Sequence, residues 1–296
     1  MSRKKTVSLV LGSGGARGYA HIGVIEELMK HGYQIRSISG SSMGALMGGL
    51  YACSKLDAYK EWVLTLDMLD VVQLLDFSFS TRGIIQGDKV FKIIEKMIGD
   101  VLIEELAISF TAVATDINKQ REVWIQKGRL IDALRASIAI PTIFTPMRLD
   151  GRELIDGGVL NPIPIAPTLL DNTDMTIVVN LDAKVNKKYS IKIPKKQSEK
   201  DSGIQKAFSS FIEKTEKLIS KEPKEKSDEL GMFGIIGHTI DTMQKALSEY
   251  KIAGYYPDMV INIPHDACGF YEFNRAYEII ELGRVITKEE LQKNGF

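Results

Sequence analysis

Two strand-like segments, each running straight into a glycine turn and then a helix, constrain this chain more than any other feature. Thr6 to Leu11 reads as a short buried strand that enters Gly12-Ser13-Gly14-Gly15-Ala16-Arg17-Gly18. Ile22, Ile25, Leu28 and Met29 then recur at helical spacing, and Gly32 marks a stop. Ile35 to Ser39 repeats the arrangement, entering Gly40-Ser41-Ser42-Met43-Gly44 and an uncharged run from Ala45 to Cys53. Such alternation builds parallel strands joined by right-handed crossovers, with ligands at the carboxyl ends of the strands. Both glycine turns fall at that edge. The expected fold class is α/β, a mostly parallel central sheet flanked by helices.

The second turn has the form GxSxG, the pattern of a nucleophile elbow. There a serine, here Ser42, is held on a tight strand-to-helix turn with its hydroxyl projecting at the sheet edge. Gly40 and Gly44 leave room for the neighbouring strand and helix. Alone the match is weak, because chance supplies it in roughly one chain in seven at this length and glycine content. A serine nucleophile also needs a base, donors for an oxyanion and a place for the acyl group.

Gly12 to Gly18 offers backbone N–H groups and the positive end of a helix, which suits an oxyanion, a phosphate or simply a tight turn. A P-loop would need a closing Gly-Lys-Ser/Thr, which is absent, and the dinucleotide pattern GxGxxG would place Arg17 at its last glycine. For the base, His21 and His31 belong to the first helix, and in the order Ser, Asp, His only His238 and His265 could serve. Asp156 is the stronger candidate. Asp156-Gly157-Gly158 follows the strand Glu153-Leu154-Ile155, and its glycines permit close approach, although the same residues also suit a plain turn. No His, Cys or Asp cluster has metal-ligand spacing, so neither a metal nor a cofactor is expected.

Elsewhere, Asp57 to Leu75 reads as one amphipathic helix with Trp62, Val63, Leu66, Leu69, Val72 and Leu75 on its apolar side, followed by a loop from Phe77 to Gln86. Asp88 is placed to cap a helix from Lys89 to Ile98. Phe110 to Ala114 and Glu122 to Ile125 form a hairpin or meander, Arg129 to Ala136 a helix, and Met147 onward two strands about the Asp150-Gly151 turn. Further strands at Met175 to Leu181 and Met259 to Ile263 accompany helices from Gly234 to Tyr250 and from Phe273 to Leu282, the last stopped by Gly283.

One domain spanning residues 1–296 is expected, interrupted at 184–230. Seven lysines against Glu199 alone lie within the seventeen residues from Lys184 to Lys200, a composition that cannot supply a core. Ile204, Phe208, Phe211, Ile212, Leu218 and Ile219 then recur at helical spacing, so this insertion suits either a solvated linker or a membrane-surface arm. Equal totals of Lys plus Arg (38) and Asp plus Glu (38) remove any whole-chain argument for nucleic-acid binding. No uncharged stretch reaches the roughly 18 to 20 residues that span a bilayer. Cys53, expected to be a buried free thiol, and Cys268 fit a reducing compartment, and the basic Met1 to Lys5 precedes no apolar signal region. A cytoplasmic protein, peripheral to the inner face of the membrane, is expected.

Leu11 to Gly18 with His21-Ile22-Gly23-Val24, the Gly40 to Gly44 elbow, Ala136-Ser137-Ile138-Ala139-Ile140-Pro141 and Asp156-Gly157-Gly158 together resemble the patatin-like phospholipase family, in order and spacing. Tyr271-Glu272-Phe273 to Gly283 resembles the tail of its bacterial single-domain branch. The resemblance implies a three-layer α/β/α fold, a dyad of Ser42 as nucleophile and Asp156 as proton acceptor without histidine, and an oxyanion hole from the backbone of Gly14, Gly15 and Arg17. Gly12, Gly18, Gly157 and Gly158 support these turns. Arg17 suits either an exposed or ion-paired place at the helix start, or contact with a lipid phosphate or support of the elbow. Ser13 departs from the family, which often has a third consecutive glycine there. The implied substrate is a phospholipid or other fatty-acyl ester, hydrolysed through an acyl-enzyme. The alternatives are a lipid transacylase and a non-catalytic module binding lipid or an anion.

Overall fold

The computed structural model describes residues 5–74, 88–141, 144–191 and 232–294. These form an eight-stranded mixed sheet. Its centre is β1 (Thr6–Leu11), flanked by β2 (Gln34–Ser41) and β7 (Met175–Ala183), with β8 (Met259–Pro264) outside β7 and β3 (Ser109–Asp116) outside β2, all parallel. β4 (Arg121–Ile125), β6 (Arg152–Asp156) and β5 (Met147–Leu149) extend it by antiparallel pairing beyond β3. Alternate residues go to opposite faces, as the pleat requires. Val7, Leu9, Leu11, Ile177, Val179 and Leu181 join the larger core, while Val10 and Val178 join a smaller one closed by Ile163 and Ile165.

The helices are α1 (Ala20–Lys30), α2 (Met43–Ala52), α3 (Leu56–Val63), α4 (Met68–Leu74), α5 (Asp88–Ile98), α6 (Leu130–Ser137), α7 (Met232–Tyr255) and α8 (Ala276–Lys293). The stretch expected as one helix from Asp57 to Leu75 is divided. Asp67 and Asp70 exchange backbone-to-carboxylate hydrogen bonds of 3.0 Å, a reciprocal cap that starts α4 afresh. The last helix also differs from expectation. α8 passes through Gly283 and continues to Lys293, because this glycine serves packing: a Cβ there would collide with Ala20 O, and one on Gly23 with Ile280 O. The pair brings α1 and α8 backbone to backbone. Cys53 is free and half-buried rather than fully buried. The expectations for Phe77 to Gln86 and for the amphipathic segment from Ile204 to Ile219 lie outside the described residues. Among the described residues no helix is long and apolar enough to cross a membrane.

One detail of register places the site. Val113 of β3 pairs with Ser41 on one side and Trp124 on the other, and its neighbour Ala114 pairs with Asp156 and Val123. β4 therefore fills one edge of β3, while β2 and β6 succeed each other along the opposite edge, running head to head. The carboxyl end of β2 delivers Ser42 to the point where the carboxyl end of β6 delivers Asp156.

Candidate active site

Ser42 has φ 55° and ψ −125°, a left-handed conformation that costs a non-glycine residue about 1 to 3 kcal/mol and persists only where the surroundings enforce it. They do so closely. The Ser42 N–H donates to Ser137 Oγ at 2.9 Å, and that hydroxyl donates to Val113 O at 2.6 Å. On β2, Ser39 Oγ donates to Pro164 O (2.7 Å) and Ser41 Oγ to Asn161 O (2.6 Å), so the strand behind the elbow is strapped to the segment that follows Asp156-Gly157-Gly158. A Cβ on Gly44 would strike Leu11 O and one on Gly18 would strike Met43 Cβ, so the two glycine turns pack directly on one another.

Asp156 is 2 % exposed. Its N–H donates to Ala139 O (2.9 Å), and its Oδ1 accepts from Gly158 N–H (2.7 Å). Oδ2 has no hydrogen-bond partner among the described residues. Burial pushes the carboxyl pKa from 3.8 up to about 7, against the opposing pull of the nearby Ser42 hydroxyl and the Gly158 N–H. Ser42 thus influences the carboxylate without a well-formed hydrogen bond to it. Gly157 must be glycine, because a Cβ there would collide with Val113 O where β6 meets β3.

In the glycine loop, Gly12 N–H donates to Val179 O (3.1 Å), Ser13 N–H to Pro162 O (2.9 Å) and Ala16 N–H to Phe270 O (2.9 Å). Arg17 N–H, expected among the oxyanion donors, is turned inward to Gly14 O (3.2 Å). Among the described residues the N–H groups of Gly14 and Gly15 have no acceptor. The Arg17 side chain is ion-paired and buried rather than exposed. Its guanidinium meets Asp182 at 2.9 Å and donates to His265 O at 3.2 Å, bracing the loop against the ends of β7 and β8. Burial raises the Asp182 pKa, partly countered by Arg17.

Among the described residues no histidine side chain is hydrogen-bonded to Ser42. His21 is fully buried, donates Nε2–H to Gly12 O (2.8 Å), and burial lowers its pKa to about 4, so it is a neutral prop beneath the loop. His31 sits at the end of α1, bonded to Glu27 O. His265 lines the cavity, with Nδ1 3.3 Å from Ala183 O. The side chain of His238 is outside the described residues.

Two cavities meet at the elbow. A wider one of about 700 Å³, more polar than its neighbour, is lined by Ser13, Gly14, Arg17, Ser42 and Asp156. A narrow apolar one of about 80 Å³ begins at Gly15 and Met43 and is walled by Leu46, Trp62, Phe91 and Ile94. Ile140, Phe270 and Tyr271 line both. No local pattern in the sequence points to the roles of Ser39, Ser41, Ser137 and Asn161. Their signal is weak, because each acts on a partner distant in the chain.

The fold and the site define an α/β protein built around an elbow serine and a buried aspartate at one sheet edge. The chain belongs to the patatin-like phospholipase family, whose model matches residues 9–169, a family whose members hydrolyse lipid esters. It is 37 % identical to an uncharacterised NTE family protein of Mycobacterium bovis, and equally to one of Mycobacterium tuberculosis, over 98 % of this chain and 92 % of theirs. It is 34 % identical to neuropathy target esterase sws of Drosophila persimilis over 54 % of this chain, a match covering 12 % of that protein. The solved structure of VipD from Legionella pneumophila aligns with a TM-score of 0.48 and 16 % identity, over 98 % of this chain and 67 % of that one.

Proposed function

We propose that this protein is a serine lipid acyl hydrolase working through a Ser42–Asp156 dyad. The observation that carries the reading is the pairing of a strained elbow serine with a buried carboxylate of pKa about 7, at the junction of a wider, more polar cavity and an apolar one. A base with that pKa is poised for proton transfer near neutrality. As Ser42 Oγ attacks the ester carbonyl carbon, Asp156 takes its proton, and the new oxyanion accepts hydrogen bonds from Gly14 and Gly15 N–H. Collapse breaks the ester C–O bond, and the departing alcohol oxygen takes the proton from Asp156. Water then attacks the acyl-enzyme carbonyl and gives one proton to Asp156, and as the acyl C–O bond to Ser42 breaks Asp156 passes that proton to Ser42 Oγ, releasing the fatty acid and restoring the carboxylate. The apolar cavity suits the acyl chain and the more polar one the head of a phospholipid or similar amphiphile. Vesicles of phospholipid with a labelled acyl chain provide the test. Ser42→Ala and Asp156→Asn are each expected to abolish fatty-acid release while remaining folded, and full activity in either would overturn the dyad.

A further inference from the structure

Ser13 stands in the glycine loop between Gly12 and Gly14, and its side chain has a partner on a distant helix. Its hydroxyl donates to Gln244 Oε1 on α7 at 3.5 Å. Gln244 is 8 % exposed, and the packing of α7 on the Gly157–Val159 turn brings its amide over the base loop. A Cβ built on Gly158 would lie 2.8 Å from Gln244 Nε2, 2.8 Å from Ser13 Oγ and 3.0 Å from Asp156 Oδ1, so the three polar groups ring one point above that glycine. Gln244 therefore spans the two halves of the site, touching the glycine loop on one side and overhanging the carboxylate on the other. Arg17, Asp182, Asp241, Lys245, His265 and Asp266 supply the other charges lining the cavity.

We infer that Gln244 is a positioning residue which, through Ser13, holds the oxyanion loop in register with the Asp156 loop and keeps a neutral amide beside the base. The inference rests on the proposed acyl-transfer reading. Gln244 lies outside residues 9–169, the part matched by the family model, whereas Ser13 lies within it. It also gives the serine at position 13 a purpose, since a glycine there could not reach α7.

The test uses Ser13→Gly, Gln244→Ala, the double variant and Gln244→Glu in the full chain, with a soluble short-chain ester as substrate. Each neutral single variant is expected to lower kcat about fivefold with KM nearly unchanged, as for one buried hydrogen bond, and the double to be no worse than the poorer single. Losses that multiply in the double variant would overturn the coupling. Gln244→Glu keeps the shape of the side chain but sets a like charge near Asp156, and it is expected to move the acidic limb of kcat/KM upward by about one pH unit. A folded Gln244→Glu protein with an unmoved limb would overturn the placement. Inactive Ser42→Ala and Asp156→Asn controls separate that failure from failure of the dyad itself.

Discussion

Replacing Asp156 by asparagine is expected to stabilise the protein above neutral pH while destroying its activity. The folded carboxyl has a pKa of about 7 against 3.8 when unperturbed, because burial disfavours the charge. A raised pKa means that the fold favours the protonated acid. That contribution is fully present below pH 3.8 and is lost as pH rises through 7. Each pH unit between the two values is worth about 1.4 kcal/mol, so ionisation costs the fold up to about 4 kcal/mol by pH 8. Asparagine accepts the Gly158 N–H equally well and never ionises. The stability advantage of Asp156→Asn is therefore expected to grow by about 3 kcal/mol between pH 5 and pH 8, measured by urea unfolding with a common m-value. An advantage that stays flat or shrinks over that range would show that Asp156 does not carry a desolvated charge, and the case for it as a tuned base would fail.

The same pKa governs activity with a definite sign. Hydrolysis of a soluble ester needs ionised Asp156, so kcat/KM is expected to rise through pH 7 and to fall about tenfold per unit below it. Ser137→Ala removes the acceptor of Ser42 N–H and leaves Val113 O buried without its donor. We expect a loss of about 1 to 3 kcal/mol in stability, read by denaturant unfolding, with a lower kcat as the elbow relaxes. Leu46→Trp narrows the apolar cavity and is expected to raise KM for a dodecanoyl ester well above its effect on a butanoyl ester. Equal effects on both esters would place the acyl chain elsewhere.

The elements of the fold and site that are legible in the sequence are those with local signals. The strand–glycine–helix units, the elbow and Asp156-Gly157-Gly158 each declare themselves within a few residues, and the hairpin of β3 and β4 follows from its polar turn. Glycine misled where its purpose was packing: Gly283 resembles a helix stop but exists so that α1 and α8 can touch. The break between α3 and α4 turned on Asp67 and Asp70 capping each other, against an apolar periodicity that runs on unbroken. The braces of the site were the least legible. Ser137 meets Ser42 across 95 residues and Ser13 meets Gln244 across 231, and only the head-to-head succession of β2 and β6 along β3 reveals why those partners coincide.

A Ser42 nucleophile activated by Asp156 should react with an electrophilic phosphorus reagent. Intact-mass and peptide analysis after exposure to a fluorophosphonate tests this most directly. One adduct per chain is expected, located on Ser42, absent in Ser42→Ala and formed far more slowly in folded Asp156→Asn. Labelling at another residue, or labelling of Ser42 at an undiminished rate in Asp156→Asn, would contradict the dyad.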